Sequence, residues 1–128
     1  MIVTPIYAAI AAFLFVYLSV RVIRARQTHK ISIGDADNLV LRRAMRVQAN
    51  FAEYVPLALI LLAFAEMQGA PGWAIHSLGA ALLFGRMMHA SGLGREPEPA
   101  NLRTIGMAFT LTVIIVAALT NLGVAIWS

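Results

Sequence analysis

The chain has no cysteine. That excludes disulfides, a thiolate nucleophile and any thiolate-ligated metal, so sulfur chemistry here would have to arrive on a ligand. Charge is also scarce, at 12% of 128 residues, against roughly 25% in ordinary soluble domains. No Asp or Glu occurs between Met1 and Val20, which counts against a small multidrug exporter with a carboxylate inside its first helix. His29 and His76 are isolated, no His/Asp/Glu cluster has metal-ligand spacing, and neither a phosphate loop nor a Ser-His-Asp constellation is visible. No metal is expected. What fills the chain instead is apolar, with 60% hydrophobic residues, so water is not its main solvent. Its length suits one domain covering 1–128, because a second would need roughly another hundred residues to bury its own core.

The net charge of +4 would fit nucleic acid, but the basic residues sit in short segments between apolar runs. That is the pattern of membrane topology, and no nucleic-acid partner is expected. Four apolar stretches, 2–23, 44–65, 73–91 and 102–127, are each able to cross a hydrocarbon core of about 30 Å. Backbone groups in lipid must be satisfied internally, and the period-two alternation of a barrel is absent. The prediction is an all-α integral membrane four-helix bundle. The first stretch lacks a basic leader and is followed by Arg21, Arg24 and Arg26, so it reads as a retained anchor and not a cleaved signal.

Gly34, Asp35, Ala36 and Asp37 supply turn and cap residues before a second helix that begins around 38–42 and projects beyond the membrane. Gly69-Ala70-Pro71-Gly72 predicts a tight hairpin between helices two and three. The third connection, 92–101, contains prolines that forbid a continuing helix. Arg24, Arg26, Lys30, Arg42, Arg43 and Arg95 fall in or beside the first and third connections, while the second has no Lys or Arg. Both chain ends are therefore expected outside the cytoplasm, with Tyr7, Trp73 and Trp127 in the aromatic belt of that surface.

Helix two carries polar residues inside an apolar run, which is costly in a membrane. At about 100° per residue, Arg46, Asn50 and Glu53 form a stripe roughly 60° wide, with Tyr54 at its edge and Gln48 on the opposite side. One reading is an ion pair or network of Arg46 and Glu53, joined by Asn50, that fixes helix packing. The other is an amphipathic ligand bearing carboxylates and amides, because these side chains are chemically more varied than one packing contact needs. Pro56 would bend the helix and open room beside the stripe. Arg86 and Arg103 either converge on the stripe or snorkel from helix ends. His89, three residues after Arg86 on one helical face, is available to donate a hydrogen bond, or is structural. Gly79, Ala81 and Gly85 predict close approach of helix three to a neighbour.

The run Arg46-Val-Gln48-Ala-Asn50-Phe-Ala-Glu53-Tyr54-Val-Pro56 resembles the helix-two signature of the MAPEG family, the membrane-associated proteins of eicosanoid and glutathione metabolism, and most of all its leukotriene C4 synthase branch. Gly85-Arg86-Met-Met-His89, followed by Arg103-Thr104, resembles the microsomal prostaglandin E synthase branch. Val22-Ile23-Arg24-Ala25-Arg26 is similar to the end of the family's first helix, so the likeness runs along essentially the whole chain.

The resemblance implies a homotrimer with glutathione bound at each subunit interface, open toward the cytoplasmic side. It assigns Arg46, Asn50, Glu53 and Tyr54 to glutathione from one subunit, Gln48 and Arg26 from the neighbour, and Arg86, His89 and Thr104 as further contacts. Arg103 is the implied catalytic residue, set beside the sulfur to stabilise a thiolate whose thiol has an unperturbed pKa of about 8.5. Where some members have two tyrosines, this chain has His89 and Leu93, which removes aromatic contacts to the cofactor. The implied activity is a glutathione-dependent transferase or peroxidase acting on lipophilic electrophiles delivered from membrane lipids. The alternative is a non-enzymatic lipid-binding or scaffold member. Short loops and the absence of an organelle address suggest a bacterial plasma membrane.

Overall fold

The computed structural model describes residues 2–95, 98 and 101–127. Those described residues form four helices, α1 (Val3–His29), α2 (Leu39–Met67), α3 (Gly72–Leu93) and α4 (Leu102–Trp127). Among the described residues there are no strands. The all-helical expectation therefore holds, and the helices differ from the apolar stretches mainly by running past the hydrocarbon into polar sequence. Six residues beyond position 23, α1 ends where Lys30 adopts a left-handed conformation at φ 55° and donates its N–H to the Arg26 carbonyl. Arg26 and His29 in the last turn suit the negative end of the helix. At the start of α2, Asn38 Oδ1 accepts the Leu41 N–H at 3.0 Å, satisfying a backbone donor that the helix cannot. Arg42 bonds Asp35 at 2.8 Å and Asp37 at 3.0 Å, which ties the first connection to α2.

By length and composition, α1, α2 and α4 are able to cross a membrane. The shorter α3 is not among them, because its 22 residues include His76, Ser77, Arg86 and His89. Its path is nevertheless set by its neighbours. The start of α3 lies at the start of α1, where the Tyr7 hydroxyl meets His76 Nδ1 at 2.9 Å. At its other end, Gly92 approaches the backbone of Arg103 at the start of α4. Gln68 and Asn121, bonded at 3.0 Å, bring the far ends of α2 and α4 together. A chain that crosses on α2 and again on α4 must return along α3.

A core of Ala11, Leu18, Val47, Phe51, Val55, Ala58, Leu82 and Val113 lies where the helices meet. The closest seam is α3 against α4. A Cβ on Gly85 would lie 2.6 Å from Phe109 Cβ, and one on Gly106 would lie 2.5 Å from the Gly85 carbonyl oxygen. Only hydrogen fits at these crossings. Gly79 lies instead against the Tyr7 ring of α1, so the small face of α3 serves two neighbours. Large apolar side chains such as Phe13 and Ile115 point outward, 77% and 59% exposed, as a lipid-facing surface requires.

Candidate functional site

Arg46 and Asn50 from α2, His89 and Leu93 from α3, and Arg103, Thr104 and Met107 from α4 line one open groove of about 560 Å³. Its position follows from the fold. The α3–α4 seam brings His89 beside the first turn of α4, and the 3.6-residue period turns Arg46 and Asn50 toward the same opening. Residues more than fifty positions apart thus share one cleft.

Arg86 lies beneath this groove and is only 2% exposed, so it does not snorkel. Its Nη2 donates to Asn50 Oδ1 at 2.5 Å and meets His89 Nδ1 at 3.4 Å. Its Nη1 donates to Thr110 Oγ1 at 3.3 Å and approaches Met107 Sδ at 3.6 Å. The guanidinium carbon sits 5.8 Å from the Phe51 ring centroid, close enough for a cation–π contact. Among the described residues no carboxylate pairs with it, and its buried Nε has no hydrogen-bond partner. Arg86 therefore supplies positive charge to the floor of the groove, held by neutral acceptors that do not cancel it.

In the packing reading of the stripe, Asn50 joins Arg46 to Glu53. It turns instead to Arg86, because the short amide side chain reaches inward across the α2–α3 contact. Arg46 and Glu53 pair directly at 3.4 Å, with side chains 56% and 55% exposed. Tyr54 is half-buried one residue further along α2 and does not line the groove. Arg103 Nε meets Glu98 Oε1 at 3.0 Å, and the other oxygen of Glu98 meets Arg43 at 3.5 Å. One carboxylate thus tethers the first turn of α4 to α2. Thr104 follows on the exposed side of the same turn.

Gln48 and Arg26 lie elsewhere on the chain. Gln48 Nε2 donates to Ser19 Oγ of α1 at 2.9 Å, and Arg26 donates to the Gly34 carbonyl at 2.9 Å. The nominated residues therefore divide into a set at the groove and a set on the α1 side. The room beside Pro56 also opens on the α1 side, as an apolar groove lined by Ala12, Phe15, Phe51 and Leu59, and not beside the polar stripe.

Sequence reasoning missed Thr110, which a threonine in an apolar helix does not advertise, and Glu98, whose bridging role depends on how the third connection folds back. It also missed Glu66, which accepts from the backbone N–H groups of Ile2, Val3 and Thr4 at 3.1, 2.6 and 2.9 Å. No spacing rule links positions so far apart.

Residues 4–123 match the MAPEG family. The chain belongs to the MAPEG family. Its curated relatives include the inner membrane protein YecN of Escherichia coli strain K12, 34% identical over 125 residues that cover 98% of this chain and 94% of that protein. The YecN of Escherichia coli O6:H1 strain CFT073 is similar to the same extent. This MAPEG chain is an integral membrane protein, and among the described residues three helices are long and apolar enough to cross a bilayer. The relatives' names state a location and no reaction.

Proposed function

We propose that this MAPEG protein is a glutathione-dependent membrane transferase with peroxidase capability, acting on lipophilic electrophiles from the bilayer. The observation that carries the reading is the meeting of Arg46, Asn50, Arg103 and Thr104 in one groove over the buried cation Arg86. Glutathione has two carboxylates, an ammonium group and a thiol, and this donor set fits it. Arg46 and Arg103 suit carboxylates and thiolate, while Glu53 suits the ammonium. Bound there, glutathione supplies the thiolate nucleophile or reductant that a cysteine-free chain lacks.

The residues have separate tasks in this reading. Asn50 is oriented by Arg86 and presents its amide to the ligand. Glu98 holds Arg103 by Nε at the groove wall, and the guanidinium would lower the pKa of a thiol placed beside it. His89 and Thr104 are further hydrogen-bonding contacts at the groove wall.

Arg46 and Glu53 are exposed on a helix that crosses the bilayer, where bare charge facing lipid is costly. Coverage by a second copy removes that cost, and it brings Gln48 and Arg26 of a neighbour within reach of the groove. A homotrimer with one site per interface is therefore part of the proposal. So are a bacterial inner-membrane location, as the name of YecN states for that protein, and non-cytoplasmic termini.

The decisive experiment titrates glutathione into detergent-purified protein by calorimetry, with ultraviolet difference absorbance in the thiolate band. Saturable binding with a thiolate signal is expected. Arg103→Ala should abolish that signal and lower turnover by roughly 10²–10³-fold without changing the oligomer seen by light scattering. Failure to bind at millimolar glutathione would favour a second reading, a non-enzymatic lipid-binding member using the apolar α1–α2 groove beside Pro56.

A further inference from the structure

A different face of α3 borders a second groove, of about 340 Å³, between α1 and α3. Its walls are of two kinds. Leu14, Leu18 and Met87 form an apolar trough with Tyr17 beside it, while Arg21 follows further along α1 and Arg95 just past the end of α3. The arginine end lies where the basic connections gather, since Arg21 is eight residues before the last residue of α1, about 12 Å along the helix axis. The trough thus points into the apolar part of the bundle and the guanidinium end lies at the polar boundary.

Among the described residues that line the groove, nothing cancels the charge at this end, since none is acidic. Arg21 Nη2 donates to the Gly94 carbonyl at 3.3 Å, and Arg43 Nη1 donates to the Leu93 carbonyl at 2.9 Å. The negative end of α3 is therefore covered by two cations and does not repel an anion. Arg21 also lies 6.0 Å from the Tyr17 ring centroid, so its position is held from two sides.

We propose that this groove binds an anionic phospholipid, with the phosphate between Arg21 and Arg95 and an acyl chain along Leu14, Leu18 and Met87. A basic pocket between membrane helices on the positively charged side is suited to an anionic headgroup. The trough distinguishes a lipid from free phosphate, which has no use for an apolar wall. A zwitterionic headgroup is disfavoured, because its cation would sit among guanidiniums. The site is separate from the α2–α3–α4 groove, so it does not rest on the glutathione reading.

Native mass spectrometry of the detergent-purified protein, doped with equal amounts of palmitoyl-oleoyl phosphatidylglycerol and phosphatidylcholine, tests the proposal. The expected result is about tenfold preference for phosphatidylglycerol, equivalent to about 1.4 kcal/mol. R21Q/R95Q should reduce the preference to parity, and R21K/R95K should retain most of it. Ala90→Phe, which narrows the same groove and leaves both charges, should weaken retention of the lipid. Should the double glutamine variant misfold by circular dichroism, the Ala90→Phe and lysine variants still decide. Equal binding of the two lipids by the unmodified protein overturns the proposal, as does full preference in a folded R21Q/R95Q. Displacement of the lipid by glycerol 3-phosphate at equal concentration also overturns it, because the groove would then be an anion site indifferent to the acyl chain.

Discussion

Replacing Gly106 by alanine would place a methyl group 2.5 Å from the Gly85 carbonyl oxygen and 2.5 Å from the His89 amide nitrogen. Both obstacles are backbone, so no side chain is able to swing away and α3 must separate from α4. Alanine gains about 1 kcal/mol over glycine from helix propensity. Overpacking costs roughly 1–3 kcal/mol, and its upper range applies where backbone is the obstacle. The net expectation for Gly106→Ala is a loss of about 1–2 kcal/mol. The same change at Gly123, with nothing within 4 Å of a new Cβ, should keep the propensity gain and stabilise by up to about 1 kcal/mol. Two identical substitutions on α4 thus have opposite signs. Reversible unfolding in mixed micelles, followed by circular dichroism, measures the difference. The consequence extends to the groove, because His89 on α3 faces Arg103 and Thr104 on α4. Glutathione affinity should fall in Gly106→Ala and stay unchanged in Gly123→Ala. Equal stability of the two variants would refute the close-packed seam and, with it, the account of how the groove is assembled.

Glu66→Ala removes the acceptor for three backbone N–H groups at the start of α1. A loss of about 2 kcal/mol is expected, with faster hydrogen exchange confined to the first turn of α1 and the end of α2. Asn50→Ala deprives buried Arg86 of its shortest hydrogen bond and should cost roughly 1–3 kcal/mol in thermal unfolding. Asn50→Asp, which supplies a carboxylate instead, should recover most of that loss. In the first connection, hydrogen bonding to Arg42 holds Asp35 below its ordinary carboxylate value of 3.8. Its contribution is present above that value and lost as pH falls through the depressed folded value. Carboxyl chemical shifts followed by NMR should show the late titration, and Arg42→Gln should return it to the ordinary range.

Much of the fold is legible along the chain. Hydropathy and length place the apolar runs, and the segments 34–37, 69–72 and 92–101 mark interruptions, because cap and turn chemistry acts within a few residues. Helix ends were less legible. Arg24 to His29 is as good a helix former in water as in lipid, so α1 continues where hydropathy stops. The stripe of Arg46, Asn50 and Glu53 follows from helical periodicity alone. Its internal pairing does not, since Asn50 faced a choice between a neighbour on α2 and Arg86 on α3.

The amino-acid sequence by itself determined an all-helical membrane chain, its family likeness and the polar residues of α2, because each depends on residue type and local spacing. Tertiary structure alone decided that Arg86 is buried with Asn50 and Thr110, that Glu98 bridges Arg43 and Arg103, and that Gln48 faces α1. The physical reason is that these contacts depend on which helix faces meet. That choice is made by the volumes excluded at crossings such as Gly85 against Gly106, and such volumes are properties of packed neighbours and not of spacing along one helix.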